Sequence, residues 1–258
     1  IANGNRPPGL AAMLVGDNPA SALYVRKKEE ACRAVGIHSE VPHYPNTSTT
    51  AEIVGAVEAL NRADAIDGIL VQLPLPKHID TEVVLRKLSV AKDVDGLTTL
   101  SQGLLTTGQS GLVPCTPLGC MHLIRSTDVD VRGKVAVVIG RSRLVGTPVA
   151  RLLLQADASV IQLHSKSQGI EALVRLADIV VVAAGVPRMV RGAWIKPGAI
   201  VIDVGMHRID GKLCGDVDFA SVSTCAGYIT PVPGGVGPMT ITCLLENCLT
   251  AYEQRLNI

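Results

Sequence analysis

The sequence predicts an α/β fold in two domains, and three observations carry that expectation. Continuous apolar runs such as Val135–Ile139 and Ile179–Ala183 recur along the 258-residue chain, as in parallel strands covered on both faces. Stretches with apolar residues at helical spacing separate them, and strand–helix alternation implies right-handed crossovers onto a parallel sheet. A Gly/Thr/Ser-rich stretch at 106–111, followed by Pro114–Pro117, marks a domain boundary.

The elements follow in order. A strand at Leu10–Val15 leads through an Asn-Pro turn to a helix over Ser21–Val35, stopped by Gly36. Ile53, Val54, Val57 and Leu60 form the apolar stripe of a helix over Thr50–Arg62. Strands are predicted at Gly68–Gln72, Val135–Ile139, Ser159–Leu163, Ile179–Ala183 and Ile200–Val204. A helix over Thr147–Gln155 is expected to open with Thr147 as N-cap and Pro148 at its first position. Pro231–Pro238 holds three Pro and three Gly and breaks the pattern before a last helix, Met239–Leu256, which could close either domain.

Composition excludes several functions. Hydrophobic residues make up 47% and charged residues 18% of the chain, which excludes disorder. With 24 Lys+Arg against 23 Asp+Glu, and only one Phe, one Trp and four Tyr, there is neither a basic excess nor a stacking platform for nucleic acid. No apolar run reaches the roughly 20 residues of a membrane helix. The polar, Pro-rich start at Ile1–Pro8 shows no signal peptide, and it lacks an initiator Met, so a preceding segment is expected. The seven cysteines form no CxxC pair; reduced thiols, with neither disulfide framework nor metal site, are expected.

Gly140-Arg-Ser-Arg-Leu-Val-Gly146 joins a strand to a helix, an arrangement that aims helix N–H groups at a phosphate. Its spacing is G-x5-G, and an ordinary strand–helix turn would read the same. The next strand ends not in a ribose-binding carboxylate but in His164-Ser165-Lys166. With Arg141, Arg143 and Ser142 in the turn, this set favours a 2′-phosphate, hence NADP over NAD. Arg143 and Lys166 would serve equally as solvated surface charges. Gly185, ending the run from Ile179, offers a bare backbone to a cofactor.

Tyr24 and Lys28 stand at i and i+4 and share one helix face. A half-buried Lys there could work as acid or base, but a core Tyr beside a snorkelling Lys is the commoner reason for such a pair. Gln72 closes a strand at its carboxyl end, where α/β proteins bind ligands, and Leu73-Pro-Leu-Pro76 fixes the loop after it. Asp95 offers a carboxylate to an N–H-rich heterocycle. Asp93, in the same Lys92–Gly96 string, reads more as a turn or cap residue, although the sequence does not separate the two.

Together these strings resemble the bifunctional methylenetetrahydrofolate dehydrogenase/cyclohydrolases. VGDNPAS (15–21), YVRKK (24–28), DGILVQLPLP (67–76), KDVDG (92–96), PCTP (114–117), VVIGRS (137–142), HSK (164–166), KPGAIVIDVG (196–205) and ITPVPGGVGPMT (229–240) carry the likeness, in order, over nearly the whole chain. Family members usually have about one more helix before the first strand. The resemblance implies a folate-side catalytic domain, 1–118 plus 239–258, and a Rossmann-like NADP-binding domain, 119–238, with an active-site cleft between them. It implies oxidation of 5,10-methylenetetrahydrofolate with NADP⁺ and hydrolysis of the methenyl product to 10-formyltetrahydrofolate, within one-carbon metabolism and purine biosynthesis.

The same resemblance implies Lys28, Tyr24, Gln72 and Asp95 as catalytic residues. Tyr24, Leu73, Asp95, Pro233, Gly234 and Gly235 would bind tetrahydrofolate derivatives. Gly140, Arg141, Ser142, Ser165, Gly185 and Thr230 would bind the cofactor. Lys28 is expected to have a depressed pKa, since a full charge would repel the methenyl cation. No metal, nucleic acid or membrane is expected; a cytoplasmic homodimer is, with an organellar location the alternative. Three rivals remain: a monofunctional dehydrogenase of this family, a dehydrogenase of another small acid, and a non-catalytic NADP-binding module.

Overall fold

The computed structural model describes residues 6–256, so the reading of the first five residues lies outside the described part. The chain divides into two compact units, one of residues 1–104, 110–113 and 244–258, the other of 105–109 and 114–243.

The first unit is built on a short parallel sheet. Strand β1 (Gly9–Val15) leads to helix α1 (Pro19–Val35), then β2 (His38–Glu40) and β3 (His43–Tyr44). Helix α2 (Thr50–Arg62), β4 (Gly68–Val71), α3 (Thr81–Lys87) and the start of α4 (Thr99–Thr107) follow, the residues of α4 from 105 on belonging to the second unit. β1 is central; β2, β3 and β4 all pair with it in parallel, β4 through Leu10↔Gly68 to Met13↔Val71. Ala11, Met13, Val15, Ile69 and Val71 pack with Ile53 and Val57 of α2 and with Val84 and Leu85 of α3. Burying each large side chain contributes about 1.5–3 kcal/mol.

Helix ends obey local rules. Asn18 caps α1 by accepting from Ala20 N at 2.9 Å and Ser21 N at 3.2 Å, with Pro19 at the first position, and Gly36 ends the helix at φ 78°. Thr49 and Glu52 form a capping box on α2, the Thr49 N–H donating to Glu52 Oε2 at 2.7 Å. This bond holds the Glu52 carboxyl below its ordinary pKa.

In the second unit, α5 (Cys115–Arg125) precedes β5 (Val135–Ile139), α6 (Gly146–Gln155), β6 (Ser159–Leu163), α7 (Ile170–Val174) and β7 (Ile179–Val182). Next come β8 (Ile200–Asp203), the hairpin β9 (His207–Ile209) with β10 (Lys212–Cys214), α8 (Phe219–Val222), β11 (Tyr228–Ile229) and the start of α9 (Val236–Leu256), whose residues from 244 on belong to the first unit. The sheet order β11-β8-β7-β5-β6 is parallel throughout. Its alternate residues enter different cores. Ala136, Val138, Ile179, Val181, Ile200 and Ile202 face α5 and α6; Val137, Ile139, Val180, Val182 and Val201 face the side of Val174 and Val222. Apolar strands without alternation therefore mean a sheet covered twice, as the sequence predicts.

Expected ends shift by one or two residues at β1, α1, β4, β7 and β8, and two further helix starts need correction. Thr147 is not the N-cap of α6: Val145 is, so Thr147 and Pro148 sit within the first turn. Pro there costs no helix bond, because first-turn amides have no partner inside the helix. The last helix starts at Val236 rather than Met239, and Pro238 is again tolerated near a helix start. The small elements β2, β3, β9, β10 and β11 have too few residues to show a period.

Candidate functional site

The order of the second sheet puts β5 between β6 and β7, so its crossovers run in opposite directions and leave a crevice at the carboxyl ends. A cavity of about 310 Å³ opens there, lined by Ile139, Gly140, Arg141, Ser142, His164, Ser165, Ala183 and Ala184 among others. Gly140 adopts φ 134°, and a side chain there would strike the Ala183 carbonyl; one at Gly146 would strike the Gly140 carbonyl. Both glycines of G-x5-G are thus required by close backbone approach.

The turn closes on itself. Ser142 Oγ accepts from Val145 N at 3.2 Å and Gly146 N at 3.4 Å, and the Ser142 carbonyl accepts from Thr147 N at 3.0 Å. Pro148 has no N–H. The first-turn amides of α6 are therefore spent on Ser142, contrary to the expectation that they point at a phosphate. The cavity's polar groups come instead from Arg141, Ser142, His164 and Ser165, and no carboxylate lines it among the described residues. That donor set suits a 2′-phosphorylated dinucleotide.

One residue that supports this cavity, Gln162, was not singled out by the sequence. Gln162 Nε2 donates to the Gly140 carbonyl at 3.0 Å and to Thr147 Oγ1 at 3.2 Å, tying the turn to β6. His164 Nδ1 accepts from Lys166 N at 3.1 Å, which in the neutral ring leaves the proton on Nε2. Of the other expected cofactor residues, Gly185 takes φ 69° next to the cavity. Arg143 lies in the turn and Lys166 is exposed. Thr230 lies outside the cavity lining; it is buried, and its Oγ1 accepts from Asp203 N at 2.8 Å. Pro233, Gly234 and Gly235 line a small depression with Asp203, Gly205 and Met206.

In the first unit, the buried face of α1 is Ser21, Val25, Lys28 and Cys32. Lys28 thus stands where an amphipathic helix would place an apolar side chain, and only 8% of it is exposed. Its Nζ donates to Gln72 Oε1 at 3.1 Å, while Gln72 Nε2 donates to the Leu73 carbonyl at 2.8 Å. Two opposite bonds fix the amide so that its oxygen faces the amine. Tyr24 is half-buried one turn before Lys28 on α1.

Asp93 and Asp95, which the sequence does not separate, have different surroundings. Asp93 is fully buried and accepts from Leu97 N at 3.0 Å, Thr98 N at 2.8 Å and Ser101 Oγ at 2.6 Å. It builds the turn. Asp95 is half-buried within that turn, and a parallel bridge between Ile69 and Asp93 sets the turn beside β4, the strand that leads to Gln72. Asn247 of α9 holds it too, its Nδ2 donating to the carbonyls of Val94 at 2.7 Å and Val113 at 2.8 Å. No local sequence pattern pointed to Asn247.

Comparisons with known proteins agree over most of the chain. Residues 1–95 match the tetrahydrofolate dehydrogenase/cyclohydrolase catalytic domain, and 114–256 match the NAD(P)-binding domain of the same family. The bifunctional protein FolD of Polaromonas naphthalenivorans is 56% identical over 248 residues, 96% of this chain and 88% of that protein. That of Bacillus cereus is 53% identical, covering 96% and 87%. The structure of bifunctional FolD from Campylobacter jejuni superposes with TM-score 0.96 at 46% identity, covering 98% of this chain and 90% of that one. The Trypanosoma brucei enzyme, solved with NADP and an inhibitor, gives 0.94 at 42%, covering 98% and 89%. With a nucleotide cavity in one unit, a buried lysine–glutamine pair in the other, and both family domains matched in order, the chain belongs to the tetrahydrofolate dehydrogenase/cyclohydrolase family.

Proposed function

We propose that this protein oxidises 5,10-methylenetetrahydrofolate to the methenyl form with NADP⁺ and hydrolyses that form to 10-formyltetrahydrofolate. The observation that carries the second activity is the buried amine of Lys28, held on Gln72 at 3.1 Å. When bound, NADP⁺ supplies the hydride acceptor. Arg141 and Ser165 supply the charge and hydroxyl that fit its 2′-phosphate. Hydride transfer needs no protein acid or base; it needs the folate held in register, and that is the task assigned to Asp95 and Tyr24. Asp95 accepts from the pterin N–H groups and Tyr24 packs its ring on the folate.

Hydrolysis does need proton transfer. Water adds to the methenyl carbon, its oxygen loses protons as the formyl group forms, and the N5–carbon bond breaks as N5 takes one proton; the other leaves to solvent. Lys28 is the side chain assigned to carry that proton, with Gln72 aiming its amine. The folate is assigned to residues 1–118 with 239–258 and the cofactor to 119–238, with Leu73 and Pro233–Gly235 on the folate side. Gly140, Ser142, Gly185 and Thr230 complete the cofactor set. A cytoplasmic homodimer feeding purine biosynthesis completes the reading.

The test is Lys28→Met, which has similar bulk and no amine. Cyclohydrolase activity should fall by at least about 100-fold, the usual scale of general acid–base catalysis, while NADP⁺ reduction stays measurable. Intact cyclohydrolase activity would remove Lys28 from the mechanism.

A further inference from the structure

Behind the nucleotide cavity lies a buried carboxylate that neither the catalytic nor the cofactor set includes. Asp216 is fully buried. Its Oδ2 accepts from Ala184 N at 2.7 Å and Gly185 N at 2.8 Å, and its Oδ1 meets His207 Nε2 at 2.6 Å. Ala183 and Ala184 line the cavity; Asp216 does not. The carboxylate therefore grips the β7 turn from the side away from the nucleotide.

This grip sets the face presented to the ligand. In a trans peptide the carbonyl points opposite to the next N–H. With both amides committed to Asp216, the carbonyls of Ala183 and Ala184 turn the other way. The Ala183 carbonyl accordingly faces Gly140, close enough to exclude any side chain there, and Gly140 is itself part of the cavity wall. The turn thus offers fixed acceptors to hydroxyl or carboxamide donors of a dinucleotide.

A buried carboxylate needs its lone pairs matched. Oδ2 has two amide donors, and His207 supplies Oδ1. His207 lies on the hairpin strand β9, its side chain 22% exposed, and makes no part of the cavity lining. Gly205 backs the same carboxylate so closely that a side chain there would collide with Asp216. Arrangement and packing together leave Asp216 one position.

The geometry points to His207 as a positioning residue for the cofactor: through Asp216 it holds the Ala184–Gly185 turn in the orientation that receives the nicotinamide nucleotide. This rests on the dehydrogenase half of the proposed function. The test measures NADP⁺ affinity by calorimetry, with NADP⁺ KM and cyclohydrolase rate alongside, for wild type, His207→Ala and His207→Gln. In His207→Ala, NADP⁺ affinity should fall about tenfold, the worth of one hydrogen bond to a charged group, with KM rising in step. Cyclohydrolase activity, which uses no cofactor, and folate KM should not move. His207→Gln, which keeps an N–H donor, should recover most of the affinity. Unchanged affinity in His207→Ala would overturn the assignment, as would parallel loss of both activities, which marks general unfolding. Loss and rescue of NADP⁺ affinity uphold it even if the wild type turned over no folate, in which case only the folate reading falls.

Discussion

Single residues decide this site by the partners they meet. Asp93 and Asp95 are two residues apart in one string, yet one is consumed by the turn it builds and the other is half-buried within it. Asp93→Ala would leave the buried Leu97 and Thr98 amides without an acceptor and should cost about 1–3 kcal/mol in denaturant unfolding. On the nucleotide side, Arg141→Ala should lower kcat/KM for NADP⁺ at least about tenfold and leave that for NAD⁺ within about twofold, since only the 2′-phosphate needs the guanidinium. Equal loss with both nucleotides would assign Arg141 to the turn rather than to specificity. Spacing and strand ends made Lys28, Tyr24, Gln72 and the G-x5-G turn candidates, and the family resemblance singled them out. Gln162, Asn247, Asp216 and His207 were not legible: their partners are reached only through the fold, as when Asn247 grips the carbonyl of Val94, 153 positions away.

Elements were legible where an apolar run or a helical stripe marks them rather than by length: α4 and α5, of nine and eleven residues, were not among the expected helices. The strands Val135–Ile139 and Ser159–Leu163 and the helix Thr50–Arg62 have the expected ends, because an apolar run or a full helical stripe sets them. The hairpin and the two- and three-residue strands were illegible, since sheet pairing rather than propensity makes them. The start of α6 misled because Thr and Pro form a strong capping signal, but Ser142 supplies the acceptor from three residues before Val145. Ser142→Ala should therefore loosen the start of α6 and cost about 1 kcal/mol of stability, measurable as earlier amide exchange in residues 145–149. No change in exchange there would mean the backbone alone sets the turn.

At the scale of the whole molecule, none of the seven cysteines is in a disulfide, and five of them are buried. Burial pushes the Cys120 and Cys248 thiols up to about 12, from the usual 9.0. A thiol whose native pKa is raised binds its proton longer than the unfolded chain does. Its stabilisation is then complete below pH 9 and lost as pH rises toward 12. Alkaline titration should lower the melting temperature over that window, and Cys120→Ala with Cys248→Ala should flatten the fall. Asp203 behaves likewise in acid: burial raises its carboxyl, ahead of the lowering by the amides of Val217, Asp216 and Gly205. It therefore stabilises most fully below its unfolded value and loses that contribution as pH rises through the native one.

The two-faced sheet of the second unit has a consequence for energetic coupling. Val137 and Val138 are chain neighbours but enter different cores, whereas Val138 and Val181 pair across strands and share one. Truncations at 137 and 138 should thus sum independently, while those at 138 and 181 relax into a common void and should depart from additivity by at least about 0.5 kcal/mol. Proximity along the chain and thermodynamic dependence are, in this sheet, perpendicular to each other.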